Sequence, residues 1–190
     1  TLAPKQGNIL EVGCGTGLIS LMLAQKSQAQ IHALDIHQAS VWEARANFKA
    51  SPWNERLKAL YISYQSYAEQ GSPTRYNLII SNPPFFENDL KSANSNRNLA
   101  RHNDNLSFSD FLNASRNFIA DDGKLSLILP VTEAELFITE ASNYHFFLQK
   151  KIIILPKPDK AANRCILSFG NNKETIIEDS LCIRNADNSY

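Results

Sequence analysis

Short apolar runs alternate with longer amphipathic stretches along most of this chain, the pattern of strands that alternate with helices. Because a helix between two strands returns the chain to the sheet in parallel, the alternation predicts an α/β fold. We expect a mostly parallel, seven-stranded sheet with helices on both faces. The seven strands are predicted at residues 9–12, 31–35, 57–62, 76–80, 124–129, 146–155 and 164–169.

Two helices are predicted in the first third of the chain. The first follows the glycines of residues 13–17, where five apolar residues crowd positions 18–23. The second covers residues 38–50 and ends before Pro52. Proline lacks the amide hydrogen that a helix needs, and it disfavours the helical conformation at the residue before it.

Two further helices are predicted in the second half. One covers residues 109–121, and a turn at residues 122–123 then starts the fifth strand. The other covers residues 132–142, where Thr132 and Glu135 have the spacing of a capping box.

Composition describes an ordinary globular protein. The chain has 190 residues, 43% of them hydrophobic and 20% charged, so we expect residues 1–190 to form a single domain. The 19 basic residues balance the 19 acidic ones, which excludes the strongly basic chain of a simple polyanion binder. No apolar run approaches the roughly 18 residues of a membrane-spanning helix, so we expect a soluble, cytoplasmic protein without a membrane partner. The three cysteines have no metal-binding spacing, so no metal is expected.

A glycine-rich segment, Glu-Val-Gly-Cys-Gly-Thr-Gly at residues 11–17, joins the first strand to the first helix. Without side chains, the glycines allow a ligand to lie against the backbone. The dinucleotide-binding pattern would place its third glycine at position 18, which is Leu18 here, so a nicotinamide oxidoreductase is a distant alternative. Asp35 ends the second strand, where a carboxylate can accept hydrogen bonds from ribose hydroxyls. The spacing favours a cofactor that has no pyrophosphate.

This pattern resembles the class I S-adenosylmethionine-dependent methyltransferases over nearly the whole chain. The resemblance implies a Rossmann-like fold and S-adenosyl-L-methionine as the cofactor. It also implies that the glycines pass under the methionine part, that Glu11 supports the ammonium group and that Asp35 holds the ribose. The family often has an acid after its third strand for the adenine amine, and the nearest positions here are Ser63 and Gln65. The predicted cofactor-binding residues are Glu11, Gly13, Cys14, Gly15, Gly17, Asp35, Ile36, Ser63 and Asn82.

The segment Asn82-Pro83-Pro84-Phe85 follows the fourth strand, at the edge of the sheet where α/β folds bind ligands. Methylating a planar exocyclic amine needs acceptors for its two hydrogens more than a strong base. The Asn82 side-chain oxygen and the Pro83 carbonyl can be these acceptors, and Phe85 or Phe86 can stack on a base. The motif is similar to that of enzymes that methylate amino groups of adenine, guanine, cytosine or a protein glutamine. The predicted catalytic residues are Asn82, Pro83, Pro84 and Phe85.

A closer resemblance rests on several segments, some of which have no role in generic methyl transfer. They are Ser51-Pro52-Trp53, Glu55-Arg56, Leu78 to Phe85, Ala100-Arg101-His102, Ile183-Arg184, Asp187 and Tyr190. In these residues the chain resembles the bacterial tRNA1(Val) adenine-N6 methyltransferases, which modify adenine 37 beside the anticodon. The resemblance implies methyl transfer to the N6 amine of an adenine in tRNA. Because family members have further segments at both ends, we expect N- and C-terminal segments to be absent from this chain.

The polar stretch of residues 87–106 has no clear period, and loops of this length are usually functional or mobile. Between residues 91 and 101 it contains three positive residues and no acid, and residues 145–170 have a local charge of +4. A basic rim beside a catalytic phenylalanine suits a flipped nucleotide. The predicted substrate-binding residues are Phe86, Lys91, Arg97, Arg101 and His102.

The expected partner is therefore a structured RNA, bound by a monomer. Two alternatives stay open. One is an amino methyltransferase that acts on guanine N2 of ribosomal RNA or on a protein glutamine, because the Asn-Pro-Pro-Phe motif does not select the substrate. The other is an RNA-binding module that keeps the methyltransferase fold without turnover.

Overall fold

A computed structural model describes residues 3–83, 106–185 and 189 of the chain. Its strands are β1 (Asn8–Val12), β2 (Gln30–Asp35), β3 (Leu57–Tyr61), β4 (Tyr76–Ser81), β5 (Ile119–Pro130), β6 (Phe147–Leu155), β7 (Arg164–Gly170) and β8 (Ile177–Cys182). They form one sheet in the order β3-β2-β1-β4-β5-β7-β6-β8, in which β7 alone runs antiparallel to its neighbours. The predicted α/β class and mostly parallel sheet are confirmed.

Helices cover both faces of this sheet, as predicted. They are α1 (Leu18–Ala24), α2 (Gln38–Ala50), α3 (Tyr64–Gln70), α4 (Phe108–Phe118) and α5 (Val131–Asn143), with a 3-10 turn at Asn54–Arg56. On one face α1 and α2 pack over β1 to β3 through a buried cluster that contains Ile9, Val41 and Phe48. On the other face α3, α4 and α5 share a larger cluster that contains Phe111 and Phe137. No helix in the described ranges has the length and apolar character to cross a membrane.

The described residues form eight strands, one more than the seven predicted. The additional strand, β8, pairs in parallel with β6 at the end of the sheet, and all its residues are exposed. An edge strand that buries no side chain has no reason to alternate apolar and polar residues, so periodicity does not reveal it. The short helix α3 was not predicted either, because its seven residues include only one that is buried, Tyr64.

The boundary between α4 and β5 differs from the predicted one. The helix ends at Phe118, and no turn separates it from β5, which begins at Ile119 instead of residue 124. Tyr76 of β4 pairs with Ile119, while Leu78 pairs with Lys124, so residues 120–123 form a bulge. A Cβ at Gly123 would lie 2.7 Å from the Tyr76 carbonyl oxygen, so the residues expected to turn stay against β4.

The predicted capping box of α5 is wrong. The N-cap residue is Pro130, and among the residues that the structure describes no side chain forms a capping hydrogen bond. Glu135 reaches outward and its Oε1 accepts a hydrogen bond from Lys151 Nζ on β6 at 2.6 Å. The spacing of Thr132 and Glu135 is correct for a box, but the N-cap lies two positions before Thr132, and the helix begins at Val131.

Candidate active site

The predicted catalytic and cofactor-binding segments meet where the strand order reverses. From β1 the chain continues to β2 on one side, while β4 lies on the other side. Ligands of open α/β sheets bind in the crevice at the carboxyl ends of two such strands. Val12, the last residue of β1, pairs with Ser81, the last residue of β4, and Ser81 Oγ donates a hydrogen bond to the Val12 carbonyl oxygen at 2.7 Å. Ser81, to which the sequence analysis gave no role of its own, thereby holds the two segments together.

Asn82 follows directly on this anchored pair. Its side chain is exposed, whereas Pro83 beside it is buried. An amide that is free to face a substrate therefore extends from a fixed backbone, as acceptors for an amine require. The remaining residues predicted for catalysis and substrate binding lie outside the described residues: Pro84, Phe85, Phe86, Lys91, Arg97, Arg101 and His102.

Two residues of the glycine loop, Gly15 and Gly17, are glycine for different structural reasons. Gly15 and Gly17 both have positive φ angles, of 53° and 81°. A Cβ on Gly17 would collide with the Phe48 ring of α2, whose Cζ atom would be 2.8 Å away. A Cβ on Gly15 would meet no heavy atom of the described chain within 4 Å. Helix packing therefore explains Gly17, whereas Gly15 faces open space in which a ligand can approach the backbone.

Asp35 is bonded to the glycine loop that it was predicted to complement. Its Oδ2 accepts a hydrogen bond from the Gly15 N–H, and its Oδ1 accepts one from the His37 N–H, both at 2.8 Å. Each carboxylate oxygen can accept a second bond, so the pair can still receive the two hydroxyls of a ribose. The backbone bonds orient the carboxylate before any ligand binds.

Glu11 is a buried acid at the end of β1, with 1% of its surface exposed. Its Oε2 accepts hydrogen bonds from the Ser20 N–H at 3.0 Å and from the Ser20 hydroxyl. Burial raises the pKa of Glu11 to about 7, against the lowering effect of the Ser20 bonds, and the Asp35 charge adds to the rise. A nearby cation would stabilise the ionised form of a buried carboxyl group such as Glu11 and so lower its pKa. The sequence analysis did not identify Ser20.

A pocket opens beside Asp35 at the carboxyl ends of β1, β2 and β3. Among its lining residues Gln65 occupies the place where an adenine-binding acid was sought. Ser63 instead caps α3, since its hydroxyl accepts a hydrogen bond from the Ser66 N–H at 3.0 Å. Cys14 is buried outside the pocket, and burial raises the pKa of its thiol to about 12. The lining residues are Val12, Gly13, Leu34, Asp35, Ile36, Ile62, Tyr64, Gln65 and Leu106.

Solved structures of similar fold include proteins described as methyltransferases. One is a "predicted O-methyltransferase" from Agrobacterium tumefaciens, which is 18% identical, with a TM-score of 0.72 over 95% of this chain and 82% of the other. Another is geranyl diphosphate C-methyltransferase from Streptomyces coelicolor, solved with S-adenosyl-L-homocysteine, which is 8% identical, with a TM-score of 0.65 over 90% of this chain and 75% of the other. At these identities the likeness concerns the fold alone.

Proteins of similar sequence identify the family, which the structural likeness alone does not. Residues 1–135 match the family model of the methyltransferase small domain. A tRNA1(Val) (adenine(37)-N6)-methyltransferase of Bacteroides fragilis is 32% identical over 100% of this chain and 80% of its own length. The protein of the same name from Trichodesmium erythraeum is 38% identical over 96% of this chain and 77% of its own length. The chain therefore belongs to the tRNA1(Val) (adenine(37)-N6)-methyltransferases, within the methyltransferase small-domain family.

Proposed function

We propose that this protein transfers a methyl group from S-adenosylmethionine to the N6 amine of adenine 37 in tRNA1(Val). The observation that carries the proposal is the junction of β1 and β4, where the Ser81 hydroxyl bonds the Val12 carbonyl. This junction brings the loop that begins at Gly13 next to Asn82 at one edge of the sheet. A methyl donor and an amine acceptor must meet in such a place, and relatives that carry this activity match nearly the whole chain.

The residues that line the site fit S-adenosylmethionine. Asp35 has acceptors for ribose hydroxyls, and Glu11 is a buried acid that gains from a nearby ammonium group. Ile36 and Ile62 give the pocket an apolar wall for a purine ring, and Gln65 can hydrogen-bond the edge of that ring. Gly15 lets a ligand lie against the loop. When bound, S-adenosylmethionine supplies an electrophilic methyl group on its sulfonium.

Asn82 and Pro83 act on the amine. The lone pair of an adenine N6 amine is delocalised into the ring, so the nitrogen becomes nucleophilic only as it turns pyramidal. The Asn82 side-chain oxygen and the Pro83 carbonyl accept its two hydrogens and stabilise the positive charge that develops on nitrogen. In this proposal Phe85 stacks on the extruded base, and water takes up the proton released after transfer.

Two substitutions separate the roles of the two segments. Asn82→Ala should lower kcat for a tRNA1(Val) transcript by about 100-fold or more while leaving the affinity for S-adenosylmethionine nearly unchanged. Asp35→Ala should raise the Kd for S-adenosylmethionine, measured by calorimetry. Asn117→Ala, an exposed position on α4, is the matched control and should change neither quantity. Retained turnover in Asn82→Ala would contradict the role of the amide.

Product mapping tests the substrate. After methylation of unmodified tRNA1(Val), nuclease digestion and mass analysis should place N6-methyladenosine at position 37. A methylated guanine, or methyl transfer to a protein glutamine, would refute the proposed substrate and leave the methyltransferase fold unaffected. We further propose that the protein acts as a monomer in the cytoplasm, where tRNA is found. A single mass near that of one chain in light scattering would support the monomer.

A further inference from the structure

One flank of α2 combines an exposed tryptophan with two cations. Trp42, Arg45 and Lys49 follow one another at helical spacing, and all three are exposed. The buried residues Val41 and Phe48 lie one position before Trp42 and Lys49, so the exposed stripe borders the face that packs on the sheet. Arg45 Nε donates a hydrogen bond to the Ala59 carbonyl of β3 at 3.0 Å, so this flank lies toward β3.

The strand opposite this flank is the edge of the sheet, since within the described ranges β3 pairs with β2 and with no other strand. Between α2 and β3 runs an open groove with Phe48, Leu57 and Ala59 among its apolar residues and with Arg45 and Lys49 as the cations from α2. Lys58 of β3 also borders it, but strand alternation places its side chain on the other side of this edge strand from Leu57 and Ala59. At the carboxyl end of β3 stands Tyr61, which is 56% exposed, and Trp42 is 61% exposed. We call these five residues the β3-edge strip: Trp42, Arg45, Lys49, Lys58 and Tyr61.

The cations of the strip are not neutralised by acids. In the part of the chain that the structure describes, no carboxylate lies within ion-pair distance of Arg45, Lys49 or Lys58. Glu43, the acid on α2, follows Trp42 by one position and so lies on another side of the helix from Arg45 and Lys49. A row of unpaired cations beside exposed aromatic rings suits a polyanion whose bases have flat faces, namely single-stranded nucleic acid.

The strip lies within reach of the active site. Three strand spacings separate β3 from β4, a distance of about 14 Å. Tyr61 ends β3 on the same edge of the sheet as Asn82, and Trp42 lies near the N-terminal end of α2, which starts from that edge. An RNA loop of a few nucleotides can therefore place one base at Asn82 while its backbone follows the strip.

We propose that the β3-edge strip binds the sugar-phosphate backbone and unpaired bases of the RNA substrate on one side of the methylated nucleotide. The cations contact phosphates, and Trp42 and Tyr61 stack on bases that flank the extruded adenine. This proposal rests on the proposed function for the identity of the RNA. It assigns a second RNA contact, at the opposite side of the cofactor pocket from Asn82.

The test compares two double variants, each of which removes two positive charges. Lys49→Gln with Lys58→Gln removes two cations of the strip and spares Arg45, which is bonded to β3. Arg75→Gln with Lys173→Gln removes two exposed cations, just before β4 and beyond the end of β7, beside strands that do not adjoin β3. Binding of a fluorescein-labelled tRNA1(Val) transcript is measured by anisotropy over a range of salt concentrations, with steady-state methylation measured in parallel.

The strip variant should bind the transcript about three- to tenfold more weakly at physiological salt, with the slope of log K against log salt reduced by about 1.5. The KM for tRNA should rise by the same factor with kcat unchanged, and the control variant should match the wild type. Trp42→Ala, which leaves all the cations in place, should weaken binding about fivefold without changing the salt slope. Equal weakening in strip and control variants, or none in either, would overturn the proposal.

Together, the anisotropy and methylation measurements distinguish a failure of this proposal from a failure of the proposed function. If the wild type binds tRNA1(Val) through the strip but yields no N6-methyladenosine, the strip stands and the methyl-transfer proposal fails. If the wild type methylates adenine 37 and the strip variants bind and methylate normally, the strip fails and the methyl-transfer proposal stands. Weakened binding of the strip variant to anionic phospholipid vesicles, with unchanged RNA binding, would identify a membrane as the partner and overturn the RNA assignment.

Discussion

The two glycines at positions 15 and 17 should respond very differently to a single added methyl group. Both have positive φ angles, so alanine at either position is strained by about 1–2 kcal/mol. In both cases a less flexible unfolded chain offsets about 0.4–1 kcal/mol of this strain. Only at Gly17 does the new methyl group meet atoms, the Phe48 ring and the Ala44 Cβ, the latter at 3.3 Å.

Overpacking accounts for the difference between the two variants. Forcing a methyl group into a filled core costs about 1–3 kcal/mol beyond the backbone strain. Gly17→Ala should therefore lower the free energy of unfolding by about 2–4 kcal/mol, and Gly15→Ala by about 1 kcal/mol. For cofactor binding the order should reverse, because the methyl group on Gly15 projects into the open space beside Asp35.

Urea unfolding of the two variants measures the first difference, and calorimetry with S-adenosylmethionine measures the second. A Phe48→Leu background gives the control, because a smaller side chain opposite Gly17 leaves room for the methyl group. In that background Gly17→Ala should cost less than in the wild type, by about 0.5–2 kcal/mol, while Gly15→Ala should cost the same. Equal destabilisation by the two alanines, or no coupling of Gly17 with Phe48, would refute this reasoning.

Two further predictions concern titration and thiol reactivity. The pKa of Glu11 is about 7 in the folded protein against 4.5 when exposed, so its burial costs no stability below pH 4.5 and costs increasingly more as the pH rises toward 7. Between pH 5 and pH 8 the wild type should therefore lose about 2–3 kcal/mol of unfolding free energy relative to Glu11→Gln, and parallel curves in urea would contradict the burial of an ionisable group. Of the three cysteines only Cys182 is exposed, so a thiol reagent should label one cysteine in the native protein and all three in urea; rapid labelling of Cys14 in the native protein would show that the loop opens.

Much of the sheet could be predicted because its buried strands consist mainly of apolar residues, which can be recognised in the sequence. β1, β2 and β4 are runs of apolar residues that are covered on both faces, and each was predicted to within a residue or two. β8 buries nothing, so its residues have no periodic constraint and its existence depends on pairing with β6. Residues 122–123 suggest a turn locally, but contact with Tyr76 keeps them in a bulge of β5.

In the candidate site, too, features set by local sequence could be predicted, whereas features set by tertiary contacts could not. The glycine loop, Asp35 and Asn82-Pro83 were identified from residue types at fixed distances along the chain, because a strand-to-helix turn and a strand end are local structures. Ser20 and Ser81 were not assigned roles, since each is bonded to a residue of another element, Glu11 and Val12 respectively. Only the folded chain shows that Gly17 is required by the close packing of Phe48, whereas Gly15 borders open space.

The sequence by itself determined the α/β class, and it predicted the acids and glycines that we propose to hold the cofactor and the amide that we propose to face the amine. The tertiary structure decided how these groups are held and where the cations gather. Net charge is zero over the chain, yet α2 and β3 bring Arg45, Lys49 and Lys58 together at one edge of the sheet. Because electrostatic attraction depends on distance in space and not on position in the chain, neither that cluster nor the raised pKa of Glu11 can be read from composition.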